Sequence, residues 1–398
     1  MSTVIIVLPG TSGSTLVDQK GNIVWPTKVA EECELHQPGV GATLLEDNTI
    51  QIGTVAGYNI ANSGYNVLVN QLASKTNATA YWALPSQQST NWGLALNAST
   101  NAVIGLPYDW RQTNTVSATL LQSFLKYISG IFGSGADIAL VAHSMGGIVS
   151  RTYLETLGAS DPWYKQITAL ITLGTPHLGA PLAFQAINGM LDLRTYLGAL
   201  SVHNVPLNLA EFSTTVYYFT DNGYGGSTYQ LLPPPPASIM PANVQSDVKF
   251  ISDTVGGGSY GLLGSILPTN LANALQSAVV SGTWPNVSAD CSTAAALLGQ
   301  LAAAAYPNPL SNLPPYYCVY GISTAYPTSV GISYDSSKPG SPWFSNDQSG
   351  GGDQIVPAWS AMFTGRTIAG VYEASGANHL QLPGDAGVIA QVATWLGF

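Results

Sequence analysis

The sequence predicts an α/β protein with a mostly parallel central sheet, helices on both faces and a large insertion late in the chain. Three observations lead there. Short apolar runs of strand length alternate with longer runs of helical period from the N-terminus onward. One of those strands passes through a serine directly into a glycine pair and a helix-like run. The alternation then lapses over residues 185–312 and resumes.

Taken in order, the first run, Val-Ile-Ile-Val-Leu at 4–8, is far shorter than a membrane span and lacks the basic start of a signal peptide. It reads as the first strand. Further strands are expected at 102–106, 138–142, 169–173, 317–321 and 367–372. Helices are expected at 117–132, where Leu121, Phe124, Leu125, Ile128 and Phe132 share one face, at 147–157, which Gly158 could end, and at 388–396. Between 185 and 312 the composition turns to Pro, Gly, Ser, Asn and Tyr, with four consecutive prolines at 233–236. A stretch that long without clear strands reads as a cap or lid, with short helices in its apolar parts. The expected organisation is therefore a core of residues 1–184 and 313–398 with a cap at 185–312. No internal repeat is visible.

A chain of 398 residues accommodates one such core with a cap. Only 8% of residues are charged against 46% hydrophobic, so Ser, Thr, Asn, Gln, Gly and Tyr must cover the surface. That balance suits an extracellular or periplasmic protein better than a cytoplasmic one. The net charge of −10 and the scattered Lys and Arg argue against nucleic acid as a partner. Cys33, Cys291 and Cys318 allow at most one bridge, with Cys291–Cys318 and three thiols both open, and none has metal-ligand spacing. Asn77, Asn97 and Asn286 each begin an N-x-S/T triplet, which matters only in a glycosylating host.

Hydrolysis through a serine requires an oxygen held clear of the sheet, a base beside it and donors aimed at the developing oxyanion. The apolar strand Ile138-Ala139-Leu140-Val141-Ala142 runs into His143-Ser144-Met145 and then Gly146-Gly147, the strand–turn–helix pattern of a nucleophile elbow. Ser144 is the candidate nucleophile. Small residues belong two before and two after it, because the strand and helix backbones nearly touch; Ala142 stands where glycine is usual, and Gly146 is retained. His143 is expected to be structural, since a side chain adjacent on the elbow does not reach its neighbour's hydroxyl in line. Gly10 to Ser14 looks like an anion cradle, but no Lys follows as a phosphate loop requires.

Four further segments bear on the identity: Leu8-Pro9-Gly10, Pro107-Tyr108-Asp109-Trp110-Arg111, Leu173 to Pro181 containing Gly174-Thr175-Pro176-His177, and Val319-Tyr320-Gly321. With the elbow they resemble, in order along nearly the whole chain, the lecithin:cholesterol acyltransferase family, which includes lysosomal phospholipase A2 and phospholipid:diacylglycerol acyltransferases. The segment after Thr11 and the cap do not match visibly. The resemblance implies an α/β-hydrolase fold and a structural role for Asp109 and Arg111, bracing the sheet edge and its loop.

That fold places the acid and then the histidine after the nucleophile, each beyond a late strand. Of the five histidines only His379 lies near the C-terminus, and it is the candidate general base. His36 precedes the nucleophile, His177 sits in the Thr-Pro-His turn and His203 in the cap. Gly352-Asp353-Gln354-Ile355-Val356-Pro357 resembles the family's Gly-Asp-Gly-Thr-Val-Pro loop, which implies Asp353 as the acid; nearby Asp347 lacks that context. The amide of Met145 is the expected first oxyanion donor. The resemblance places the second immediately after Pro-Gly, at Thr11, with Ser12 as the alternative. Trp25 is expected in the core.

The expectation is a serine hydrolase cleaving carboxylic esters of lipid-like substrates, with no cofactor and no metal. Acyl transfer to an alcohol would use the same intermediate. A non-catalytic binding protein on this fold would usually have lost a member of the triad. The expected partner is a lipid or small-molecule ester, with transient lipid-surface contact through the cap.

Overall fold

The computed structural model describes residues 2–25, 49, 51–55, 64–88, 90–183, 227, 230–232, 251–253, 258–260, 293–294, 296–297, 300–301, 313–324, 328, 330–334, 344–347, 350–362 and 368–398. Its centre is a seven-stranded sheet: β1 (Thr3–Leu8), β2 (Ala78–Trp82), β3 (Asn101–Gly105), β4 (Asp137–His143), β5 (Ile167–Leu173), β6 (Tyr316–Ile322) and β7 (Gly370–Ser375). The spatial order is β7-β6-β5-β4-β1-β3-β2, and every pairing in it is parallel. The helices are α1 (Tyr65–Lys75), α2 (Asn114–Phe132), α3 (Met145–Thr152), the short α4 (Ala358–Ala361) and α5 (Ala386–Trp395).

Because side chains on a strand alternate between faces, a run such as Val4–Leu8 can be apolar throughout only if both faces are covered. They are. Val4, Ile6 and Leu8 pack with Ile138, Leu140 and Ala142 against α2, through Leu121, Phe124, Leu125 and Ile128, and against α3 through Met145 and Val149. Ile5 and Val7 pack with Ala139 and Val141 on the opposite face, against α1 through Leu68, Val69 and Leu72 and against α5 through Val388, Ile389 and Val392. Each buried side chain of this size contributes about 1.5–3 kcal/mol relative to exposure. The central strands are therefore covered on both faces.

Two smaller sheets flank this core. Ser14–Val17 pairs antiparallel with Ile23–Trp25 and Gln51–Val55. The strands Gly258–Tyr260, Ile251–Asp253, Gly331–Tyr334 and Phe344–Asp347 form the other, which draws residues from both sides of position 312. Residues 227, 230 and 231 also bond directly to residues around the central sheet. Ser227 Oγ donates to the Trp110 carbonyl, Gln230 Oε1 accepts from the Asn114 amide at the start of α2, and the Ala180 amide bonds the Leu231 carbonyl.

Several details depart from the sequence reading. β2 and α1 were not anticipated, because the half-exposed Ala-Thr-Ala-Tyr-Trp of β2 shows no clear apolar run. β7 begins at Gly370, three residues later than the expected 367. The helix after Ser144 is α-helical only to Thr152 and finishes as a π-turn, Tyr153–Leu157. Gly158 follows with φ −81°, so it is no left-handed cap. A Cβ there would lie 2.6 Å from the Tyr153 ring, which accounts for the glycine.

The π-turn carries a buried ion pair. Arg151 donates from Nε to Glu155 Oε1 at 2.8 Å and from Nη2 to Oε2 at 3.1 Å, and also to the Leu301 carbonyl, while Tyr316 Oη donates to Glu155. Removing one charge strands the other in the interior. Arg151→Leu is therefore expected to lower stability by about 3–5 kcal/mol, measured as the urea midpoint, whereas the Arg151→Leu/Glu155→Leu double variant should recover most of that loss.

Candidate active site

Ser144 stands between β4 and α3 with φ 52° and ψ −127°. Few residues other than glycine adopt positive φ, and the conformation costs on the order of 1–3 kcal/mol, so the surroundings must impose it. Here the Ser144 amide bonds the Leu173 carbonyl at 2.9 Å and its own carbonyl accepts from Gly147 at 3.0 Å. A Cβ on Gly146 would lie 2.5 Å from the Pro9 carbonyl oxygen and 2.8 Å from that of Leu8. Only glycine lets α3 start this close to the end of β1. Thr175 fills the space that a side chain at Gly147 would need.

The structure brings Ser144, His379 and Asp353 together from three loops at the carboxyl ends of β4, β7 and β6. His379 Nε2 lies 2.8 Å from Ser144 Oγ, and its Nδ1 lies 2.7 Å from Asp353 Oδ2. A carboxylate only accepts, so Nδ1 carries the ring proton and the Nε2 lone pair receives the Ser144 hydroxyl. The second carboxylate oxygen accepts from the amides of Ile355 at 3.1 Å and Val356 at 2.7 Å. The His379 amide bonds the Asp353 carbonyl at 2.9 Å, tying the two residues through the backbone as well. Asp353 is fully buried, His379 nearly so, and Ser144 is 9% exposed.

Gln354 occupies the position where the family's loop has glycine, and its φ is 83°. Its amide donates to Thr328 Oγ1 at 2.8 Å and its side-chain nitrogen to Ser323 Oγ at 2.9 Å. These bonds hold a backbone conformation that glycine would adopt without them.

The loop after β1 lies against Ser144. A Cβ on Gly10 would meet the Ser144 Cβ at 2.6 Å, so glycine is again required. The Gly10 amide is engaged by Tyr65 Oη at 2.8 Å. Among the described residues no acceptor meets the amides of Thr11 or Met145. These are the two sequence candidates for the oxyanion hole, and Thr11 Oγ1 donates to Met145 Sδ at 3.5 Å, linking them. The loop is braced from outside by the Pro-Tyr-Asp-Trp-Arg run: Tyr108 Oη donates to the Pro9 carbonyl, and Trp110 Nε1 to that of Ser14. Asp109 and Arg111 form a forked pair with each other at 2.7 and 2.8 Å.

His177 is buried, with Nε2 at 3.0 Å from Thr172 Oγ1 and 3.8 Å from the sulfur of Cys318. Asp347 ends a strand of the four-stranded sheet. His36, His203, Cys33, Cys291, Asn286 and the side chain of Trp25 lie outside the described residues. Sequence reasoning missed Tyr65, which no motif marks, and it saw Tyr108 and Trp110 without their targets. Among the described residues no group of three or more His, Cys, Asp or Glu is arranged to hold a metal ion.

His143 is buried beside the triad, with Nδ1 at 2.7 Å from Tyr65 Oη and Nε2 at 2.9 Å from the His379 carbonyl. Burial foremost, and the adjacent His379 ring next, hold its imidazole well below the ordinary histidine range, against the raising effect of the bond to the carbonyl. Below about pH 6.5 the unfolded chain takes up a proton at this residue that the folded chain refuses. Stability should fall as pH drops, at up to about 1.4 kcal/mol per pH unit from this group. Urea unfolding between pH 7 and 5 should therefore show a shallower pH dependence in His143→Gln than in wild type; equal slopes contradict the assignment.

The sequence profile of the lecithin:cholesterol acyltransferase family matches residues 49–244. Comparison with curated proteins gives no match. Among solved structures, the Tle4–Tli4 complex contains a chain 14% identical to this one, with 99% of this chain and 98% of that one aligned at a TM-score of 0.62. That likeness shows a shared fold. The mature lipase BlEst2 of Bacillus licheniformis aligns over 98% of this chain and 90% of its own at 12% identity and a TM-score of 0.37. With the all-parallel sheet, the fold is that of the α/β-hydrolases, and residues 49–244 are similar to the lecithin:cholesterol acyltransferase family.

Proposed function

We propose that the protein cleaves carboxylic esters of lipid-like substrates through an acyl-serine formed at Ser144. The observation that carries this reading is the continuous hydrogen-bonded line from Ser144 Oγ through His379 to the buried Asp353 carboxylate. In the first half-reaction His379 Nε2 takes the hydroxyl proton as Oγ attacks the ester carbonyl carbon. The amides of Thr11 and Met145 receive the oxyanion. His379 then returns the proton to the leaving alcohol as the carbon–oxygen bond breaks. In the second, water gives its proton to His379 and attacks the acyl-serine, releasing the carboxylic acid and restoring Ser144. Asp353 holds the required tautomer and stabilises the imidazolium.

The family match supports lipid esters, and the Tyr, Leu and Pro content of the cap we place at 185–312 suits an apolar acyl pocket. The same match supports a second reading, transfer of the acyl group to an alcohol, because an alcohol can replace water in the second half-reaction. A lipid surface contacted through the cap is the partner we propose, and an extracellular or periplasmic location fits the low charge content. Among the described residues no helix is long and apolar enough to cross a membrane.

A fluorophosphonate probe should label wild-type protein and not Ser144→Ala, whose turnover of a short p-nitrophenyl ester should fall roughly 10⁴–10⁶-fold; labelling of both would remove Ser144 from the mechanism. Asp353→Asn should lose about 10⁴-fold in kcat while Asp347→Asn keeps wild-type turnover, and the reverse pattern would reassign the acid. Incubation with phospholipid, triglyceride and simple esters, with and without a long-chain alcohol, should yield free fatty acid by mass analysis. New ester as the main product would make acyl transfer the activity.

A further inference from the structure

We infer that Tyr65 and His143 form a buried positioning relay that locks the oxyanion loop and the loop of the general base into one geometry. The inference rests on the reading of Ser144 as nucleophile and His379 as base. Its starting point is the direction of three hydrogen bonds, each dictated by the one before. The His379 carbonyl can only accept, so the His143 nitrogen facing it at 2.9 Å, Nε2, must carry the ring proton. A neutral imidazole then presents a lone pair at Nδ1, so Tyr65 must donate its hydroxyl proton across the 2.7 Å contact. The phenol oxygen, its proton committed, receives the Gly10 amide at 2.8 Å.

The line thus runs one way, from Gly10 through Tyr65 and His143 to the backbone of His379. It joins the loop before Thr11, the elbow residue before Ser144 and the loop carrying the base. Tyr65, His143 and His379 are all 3% exposed or less, where an unsatisfied polar group is costly and bonds in series reinforce one another. Packing alone would need no polar atoms here; a phenylalanine and an apolar neighbour would fill the same space. The His143 ring also lies 4.7 Å from that of His379, so it supports the base by contact as well as through its carbonyl. His143 makes no bond to Ser144 Oγ, so its role is positioning and acts through other groups. Burial keeps it neutral, and the line therefore keeps its direction when His379 becomes imidazolium in each half-reaction.

The test is Tyr65→Phe, which removes one oxygen and leaves the packing. The rate constant for fluorophosphonate labelling at Ser144 and kcat for a short p-nitrophenyl ester, both taken per folded molecule, should fall roughly 10–10²-fold with KM unmoved. His143→Gln keeps a donor for the His379 carbonyl but offers Tyr65 a poorer acceptor, and should lose a similar factor. The double variant should lose no more than the worse single one, because both break a single line. Wild-type rates in Tyr65→Phe, or losses that multiply, overturn the relay. Independently of folding yield in the variants, ¹⁵N-histidine spectra of wild type should show His143 protonated at Nε2 alone; protonation at Nδ1 overturns it. If wild-type protein is not labelled at Ser144 at all, the proposed function falls and the relay with it, an outcome distinct from labelling that Tyr65→Phe leaves unchanged.

Discussion

At the end of β4 three stretches of backbone meet almost without side chains between them, and the rest of the site depends on that approach. Gly146 opens α3 against the carbonyls of Leu8 and Pro9, and Gly10 lies against the Cβ of Ser144. The closeness forces Ser144 to positive φ and turns its hydroxyl out of the sheet. It also sets the Thr11 and Met145 amides beside the serine. A methyl group at Gly10 or Gly146 would part these backbones, and with them Ser144 from its surroundings.

The sheet makes such an arrangement affordable. After β1 the chain passes to β2 and β3 on one side, then returns to β4 and the strands beyond on the other, so β1 and β4 flank the point where strand order reverses. Parallel sheets open a crevice there at their carboxyl ends, and the loops after β1, β4, β6 and β7 all contribute to this one. Because both faces of the central strands are fully packed, those loops leave from fixed points. Shorter-range bonds finish the placement: Tyr108 and Trp110 from the β1 side, the two amides on Asp353 Oδ1 from the β6 side, and the line through Tyr65 and His143 across the middle. Trp110 also accepts from Ser227 through its carbonyl, so one residue bonds both Ser14 and Ser227.

What could be read in advance follows from range of interaction. β1, β3, β4 and β5 were legible because strands buried on both faces must be apolar along their length, and the elbow because its glycine follows a strand at fixed spacing. β2 was not, since a half-exposed edge strand has no such obligation. Asp353 and His379 could be named from order and local context, and they stand within hydrogen-bond distance of each other. Tyr65 could not, because its partners lie 55 and 78 residues away and only the folded chain brings them together. Gln354 is a mixed case. Its place in the loop could be read, but its positive φ and the bonds to Thr328 and Ser323 that hold it appear only in the folded chain.

The central claim is that the acyl group passes through Ser144. Wild-type protein mixed with a p-nitrophenyl ester and quenched in acid within the first turnovers, then digested and analysed by mass, tests it most directly. The account predicts one acyl group on the peptide that carries Ser144. Turnover with no acylated peptide, or with the acyl group on another residue, would contradict it.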